Sequence, residues 1–494
     1  MILTVLERRA PNGIGILANM AKPVTIPFSG QPNQRAIGTT DRRYVNVLHE
    51  TVTDASTKTQ ELWVVKRPGL ANSTQPPGGA AAGRGLYAWG ATGKIYSVAA
   101  NKIYSGVTDL GVTLAGSSGR AWFVETPANV SYAQTLVISD GADNYNITTA
   151  DVITQIDEGD DADYPQANLG PICYLDEMLF QAQSDGDIWN TSVASYIAWS
   201  ATSVKRTPRK GSALEAIISQ RDQIVAFYKN YIDFYSNNGN PTGSPLLRHE
   251  QNGMDFGIAS KATLAWSGST VCFVGENASS GDGERSVWMI SGIKKIGEIS
   301  NAAINRFLRA EGSSISSATA WMERIAGQLV YVLNLSSANR TFVYNVDNPG
   351  WTEWEAAGGG KFNVIAVTSL NGVVYGQDAS NGRIYTLLST TFQDSSVDFT
   401  VTLQPAKTDL GTDNRKFETE LSVVGDTTTG NLSVTYSDDD GANYSTARTI
   451  DLSQSHKRLM RMGSFRERIY RYTYADNYAL RLQAARHDIE IGTN

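Results

Sequence analysis

The run Ser437-Asp438-Asp439-Asp440-Gly441-Ala442-Asn443-Tyr444 concentrates more chemistry-bearing side chains than any other short stretch of the chain. Closely spaced carboxylates can ligate a hard cation such as calcium, but the glutamate that closes an EF-hand loop is missing. The same residues fit the pattern S-x-D-x-G-x-x-aromatic through Ser437, Asp439, Gly441 and Tyr444. There the aspartate accepts backbone N–H groups and the ring packs beneath, so a structural turn is the expectation. Other chemistry has less to work with. His49, His249, His456 and His487 show no partner motif, and no G-x-S-x-G sits in a nucleophile-elbow context. Cys173 and Cys272 stand in apolar runs without C-x-x-C or H-x-x-x-H spacing, and read as free buried thiols rather than zinc ligands. With 49 acidic residues, carboxylate pairs for glycosidase chemistry can be nominated anywhere and mean nothing without geometry. No P-loop or dinucleotide fingerprint is present. The expectation is no catalytic residue, no metal and no cofactor.

Charge is unevenly placed. Residues 455–486 hold eight Lys or Arg against two acids, a net of +6 on a chain of net −7. Phe465, Tyr470, Tyr472, Tyr474 and Tyr478 interleave with these cations, as on surfaces that stack nucleobases. The overall acidity argues against wrapping a phosphate backbone, so arginines presented for protein contacts are the better reading. A smaller cluster, Lys205-Arg206-Thr207-Pro208-Arg209-Lys210, reads as a solvated loop.

The elements that must position these residues are strands. Two-strand units recur at 93–106, 135–147, 177–192, 223–238, 269–292, 327–347 and 372–387. Each alternates apolar and polar residues, turns through Gly, Asn, Asp or Ser, and alternates again. Their starting points are 42 to 58 residues apart, the length of chain a four-stranded propeller blade needs. The hairpins are expected to be the inner pairs of the blades, and the fold an all-β propeller of six or seven blades spanning 81–395. One helix is expected near 299–310, inserted between blades and capped by Ser300. Residues 1–80 read as an extended N-terminal arm lending strands to a platform. Residues 396–494 read as a C-terminal, sandwich-like all-β platform domain.

Composition agrees: 41% hydrophobic and 18% charged residues, with 45 glycines and 22 tyrosines, suit many short strands and exclude general disorder. The N-terminal MILTVLERR has its charges after the apolar run, the wrong order for a secretory signal, and no stretch approaches a membrane span. Synthesis in a reducing compartment is expected.

Several runs together resemble one family: RRYVNVLHE, KRPG, LYAWGATGKIYSVAANKIYSG, QRDQIVAFYKNYIDFYSNNGNPTGSPLLR, YSDDDGANYSTAR and RMGSFRERIYR. They are similar, in order and from about residue 40 onward, to the tail nozzle, or packaged-DNA stabilisation protein, of short-tailed bacteriophages. The resemblance implies a non-enzymatic virion protein of the tail, made in the host cytoplasm. It further implies a homohexameric tube with a propeller in each subunit, bound to the portal adaptor and to a tail fibre or tailspike. Double-stranded DNA would pass through its lumen without sequence-specific binding. On that footing Arg458, Arg461, Arg466, Arg468 and Arg471 are expected at adaptor or inter-subunit contacts, away from the lumen. The competing reading is a propeller that binds or cleaves glycans, supported only by the sialidase-type aspartate box at 437–444.

Overall fold

The computed structural model describes residues 22–29, 42–53, 60–76, 79–130, 132–157, 159, 161–165, 168–183, 185–207, 212–240, 242–277, 284–291 and 294–492. The N-terminal run MILTVLERR, most of the first 40 residues, and Pro208, Arg209 and Lys210 of the basic cluster lie outside them.

Among the described residues the chain makes seven consecutive antiparallel blades, at 83–113, 122–156, 173–205, 214–248, 257–298, 319–354 and 364–388. All seven repeats therefore belong to the propeller, and the blade number is seven. Their radial position differs from expectation. Lys94–Ala99 and Lys102–Ser105 are the second and third strands of blade 1, and the other hairpins sit likewise in the middle of their blades. Middle strands are covered on both faces, which made them the most apolar: in Gln223–Tyr228 every residue after the first is buried. Several first strands are too short to show a pattern, Cys173–Leu175 and Gly257–Ile258 among them. In blade 5 the first strand is split by a 3-10 turn at Lys261–Thr263, and both halves pair with Thr270–Asn277.

Seven apolar cores lie one between each pair of neighbouring blades, which is how the ring stays shut. Trp89, Tyr96 and Ile138 pack between blades 1 and 2, Val137 and Leu179 between 2 and 3, Phe180 and Ile217 between 3 and 4. Phe227 and Phe273 follow between 4 and 5, Cys272 and Tyr331 between 5 and 6, Trp321 and Val364 between 6 and 7, and Leu86 and Ala366 between 7 and 1. The one α-helix among the described residues, Ala302–Ala310, joins blade 5 to blade 6 and buries Ile304, Phe307 and Leu308 in the core there. Its cap is Asn301, whose side chain accepts from the Ala303 and Ile304 amides at 3.0 Å. Ser300, the expected cap, instead accepts from the Val287 amide at 2.8 Å. Asn301 is the residue in extended conformation immediately before the helix, where a side-chain oxygen can reach those amides.

Blade 7 is completed from the far end of the sequence. Gly69–Thr74 pairs antiparallel with Ile384–Leu388 as the outer strand, so residues 69–74 belong to the propeller and not to the platform. Gly69 is required here: a Cβ would stand 2.2 Å from the Gln393 carbonyl oxygen.

The platform is two facing sheets. One continues blade 6: Arg43–Val45 joins Gly350–Trp354 in parallel, then come Val401–Gln404, Ile469–Tyr474, Asn431–Ser437 and Arg448–Asp451. The other runs Val47–Thr53, Gln60–Lys66, Arg481–Ile491, Lys416–Gly425 and Arg458–Phe465, with Lys22–Pro27 also on Arg481–Ile491. Val47, Val64, Leu421 and Leu482 from the second sheet meet Tyr44, Leu403, Val434 and Tyr472 from the first in one core.

Between platform and propeller lies Arg67, with no exposed surface. Its guanidinium bonds both oxygens of Asp394 (3.0 and 2.6 Å), the Asn46 side chain (2.9 Å) and the carbonyls of Pro68 and Glu355 (2.9 Å each). It also lies 3.8 Å from the Phe399 ring centroid and 4.7 Å from that of Phe362. Arg67→Met strands the Asp394 carboxylate, and about 3–5 kcal/mol of stability should be lost. Adding Asp394→Leu should restore a large part of it. Urea denaturation of both variants checks this.

Candidate functional site: the arginine platform and the closed axis

The basic tract divides by burial. In the edge strand Arg458–Phe465, Arg458 and Arg461 are exposed while Leu459 and Met462 point into the core. Arg458 reaches Glu420 at 3.1 Å, and Arg461 adopts φ +59. Arg466 is exposed and donates to the Asp413 carbonyl at 2.6 Å. These three guanidinium groups stand on the protein surface.

Arg468 does not, and its expected place at a partner contact is corrected. It is 1% exposed and forks onto Asp438 (2.7 and 2.8 Å), with a further bond to Glu418 (3.2 Å) and one to the Met462 carbonyl (2.8 Å). The Tyr436 and Phe465 rings cover it at 3.8 and 4.2 Å. Burial pulls its pKa down, but the Asp438 hydrogen bonds, with Tyr470 and Glu418 nearby, outweigh that and raise it. Arg471 is half-buried: it bonds Gln404 at 2.9 Å and lies 3.8 Å above the Tyr444 ring.

Those contacts explain the acidic run. Asp439 accepts from the Ser437 hydroxyl (2.7 Å), the Asn443 amide (2.9 Å) and the Asn443 side chain (2.7 Å), and these bonds hold its carboxyl down at about 2. The Gly441 amide donates to Ser437 Oγ at 2.9 Å, and Asp440 and Gly441 carry φ +59 and +84. Asp438 serves Arg468, and Asp440 meets Lys407 at 2.8 Å. Ser437, Asp439 and Gly441 thus shape one loop with Asn443, Tyr444 lies against Gln404 and Arg471, and the three carboxylates each have a cation or amide partner. Among the described residues no group of three or more His, Cys, Asp or Glu could hold a metal ion. Cys173 and Cys272 are free and buried, which pushes both thiols up.

Two histidines sit deep in the platform. His487 Nδ1 lies 2.6 Å from Glu418 Oε1, whose other oxygen accepts from Tyr470 at 2.7 Å. His49, at the blade 6 junction, is edge-on to Tyr44, and burial lowers its pKa to about 4.

The second notable region is the propeller axis. Arg120, just ahead of the first strand of blade 2, donates to the Ala320 carbonyl (2.8 Å) and the Leu264 carbonyl (3.3 Å), reaching across to blades 5 and 6. It lies over Trp122 at 4.3 Å, and Trp122 stacks on Trp266 of blade 5 with centroids 6.2 Å apart. Lys261 in blade 5 donates to the Leu169 carbonyl ahead of blade 3. Arg84, also buried, bonds five carbonyls of blades 1 and 2, from Ala100, Gly116, Ser118, Gly119 and Asp140. Sequence reasoning missed these cations. For Arg84 and Arg120 the signal was the recurring Gly-Arg in Gly-Arg-Gly-Leu at 83–86 and Gly-Arg-Ala-Trp at 119–122, at the heads of blades 1 and 2.

The family model described as Bacteriophage P22 Gp10, beta-propeller, matches residues 24–392. The chain belongs to that family. It is a phage tail nozzle or stabilisation protein and therefore a virion component. No curated protein matches it. Among solved structures it is similar to streptogramin B lyase (14% identity, 64% of this chain and 96% of that one, TM-score 0.40). It is also similar to virginiamycin B lyase from Staphylococcus aureus (12%, 64% and 97%, TM-score 0.42). A third is the extracellular domain of the hybrid two-component system BT4673 from B. thetaiotaomicron (10%, 65% and 40%, TM-score 0.43). At those scores the likeness carries no argument about activity. No helix among the described residues is long and apolar enough to cross a membrane.

Two measurements follow for this nozzle-family platform. Arg468→Met leaves Glu418 buried without its cation and should lose about 3–5 kcal/mol, whereas Arg466→Met should stay within about 0.5 kcal/mol of wild type in urea denaturation. For His49, the unfolded chain takes up a proton near 6.5 and the folded one only near 4. Its contribution is therefore intact above pH 6.5 and lost as pH falls toward 4, by up to about 3 kcal/mol. His49→Leu should flatten that part of the stability–pH curve, read from melting temperatures.

Proposed function

We propose that six copies of this chain form the nozzle of the phage tail, which binds the portal adaptor, holds packaged double-stranded DNA and conducts it at ejection. A tail fibre or tailspike attaches to the same assembly. The observation that carries the reading is membership of the nozzle family across residues 24–392.

The closed axis supports a particular conduit. A propeller crossed by Arg120 and Lys261 and filled by the Trp122–Trp266 stack cannot pass a duplex along its own axis. The lumen in this reading lies between subunits, where six copies of net −7 amount to about −42. An acidic or neutral wall repels phosphates and lets DNA slide, whereas a basic wall would hold it. The exposed Arg458, Arg461 and Arg466 then belong at adaptor or inter-subunit contacts, pairing carboxylates. The chain acts as a structural part and turns over no substrate; the acidic turn at 437–444, the support for a glycan-directed reading, spends its carboxylates on its own loop, on Arg468 and on Lys407.

Native mass spectrometry should find a species of six times the 53.5 kDa chain mass. Replacing Arg458, Arg461 and Arg466 together with glutamate should slow ring assembly or adaptor binding by about tenfold, and added salt should weaken the wild type in the same way. A strict monomer with and without adaptor would remove the nozzle reading. Saturable glycan turnover abolished by one carboxylate change would replace it.

A further inference from the structure

The closed axis leaves a cavity of about 210 Å³ at Arg120 along the inner strands, lined also by Tyr87, Trp122, Phe123, Trp266, Trp321 and Glu323. We propose that this cavity is a binding site for a small carboxylate with a planar apolar body, its carboxylate on Arg120 and its body among the aromatic rings.

Three observations carry the proposal. First, Arg120 is without an ionic partner: among the described residues no carboxylate forms a salt bridge with it, and only one of its nitrogens, Nη1, is engaged in hydrogen bonds, both to carbonyls. Of the buried arginines, Arg67 and Arg468 each have a carboxylate in place, and Arg84 has all three of its nitrogens met by carbonyls. Burial holds the Arg120 pKa down at about 10, so the group is charged at neutral pH yet poorly compensated. An uncompensated cation in a partly desolvated site is where a ligand anion gains most, through the guanidinium fork. Second, the walls suit a flat ring. Tyr87 and Phe123 stack with an interplanar angle of 10°, and Trp122 and Trp266 with one of 12°. All four rings line the cavity and give it flat aromatic edges and faces against which a further ring can pack. Third, the site is pre-formed. Tyr87 is fixed by its hydroxyl on Glu125 at 3.1 Å, and Trp321 by its indole N–H on the Val364 carbonyl at 3.1 Å. Aromatic walls around a placed cation are a usual form of small-molecule site, and Glu323, also on the lining, makes no ion pair with Arg120 among the described residues. The inference stands apart from the nozzle reading, because it uses the interior of a single propeller.

Benzoate is the probe, titrated into the full chain and followed by heat and by tryptophan fluorescence, which Trp122, Trp266 and Trp321 should report. Saturable binding of one benzoate per chain is expected, with benzamide, of the same shape but neutral, about tenfold weaker. Arg120→Lys should keep part of the preference, and Arg120→Gln should lose it. Because Arg120 also ties blades 5 and 6, the glutamine variant is used only if its melting is cooperative. The benzoate-to-benzamide comparison on the wild type decides the matter without it. No saturation at millimolar benzoate, or equal affinity for the two probes, overturns the proposal.

Discussion

A positive charge with no access to water sits where four parts of the chain meet, and the rest of the architecture is arranged to keep it there. Arg67 belongs to the N-terminal segment, Asp394 to the run leaving blade 7, Glu355 to the end of blade 6, and Phe399 to the entry into the platform. Isolating a guanidinium from water costs several kcal/mol, repaid only when its hydrogen bonds are met with good geometry. The two strands flanking Arg67 divide the work: Gln60–Lys66 extends the platform and Gly69–Thr74 closes blade 7. Ring closure and platform attachment therefore depend on one buried pair. A long-range tie of this kind replaces the exposed edges that an open ring of seven sheets would present.

Much of this could be read from the residues, for physical reasons that also mark the limits. Alternation over the seven hairpins is strong because their strands are covered on both sides, so the existence of the blades was legible and their number came down to six or seven. Radial order was not. A first strand such as Cys173–Leu175 carries too few residues to show a period, and the outer strand of blade 7 comes from some 290 positions away. Ser300 and Asn301 are both good caps by type, and only the backbone decides which one precedes the first helical residue.

The site shows the same division. The aspartate turn is a local device, so its spacing alone pointed to Ser437, Asp439, Gly441 and Tyr444. The fates of the arginines depend on strands far apart. Arg466 and Arg468 differ by two positions, yet one faces solvent and the other enters a pocket made by Asp438, Glu418 and three aromatic rings drawn from residues up to 50 positions away. Alternation of Arg with Tyr in RERIYRYTY is compatible with either. The axial cations Arg84 and Arg120 went unnoticed because they act on backbone carbonyls, which leave no mark in the sequence beyond the glycine beside each.

The physical picture is of a closed ring fastened edgewise to a sandwich, acidic overall, with exposed arginines along one platform edge and its own axis stopped by cations and indole rings. In the proposed nozzle this would separate two tasks: the propeller would supply the body, and the passage for DNA would be made by assembly. The most direct test is an electron cryomicroscopy density map of the tail with DNA in transit. The account predicts six propellers around a central duplex, each with its axis filled at Arg120, Trp122 and Trp266. Duplex density threading a propeller axis would contradict it.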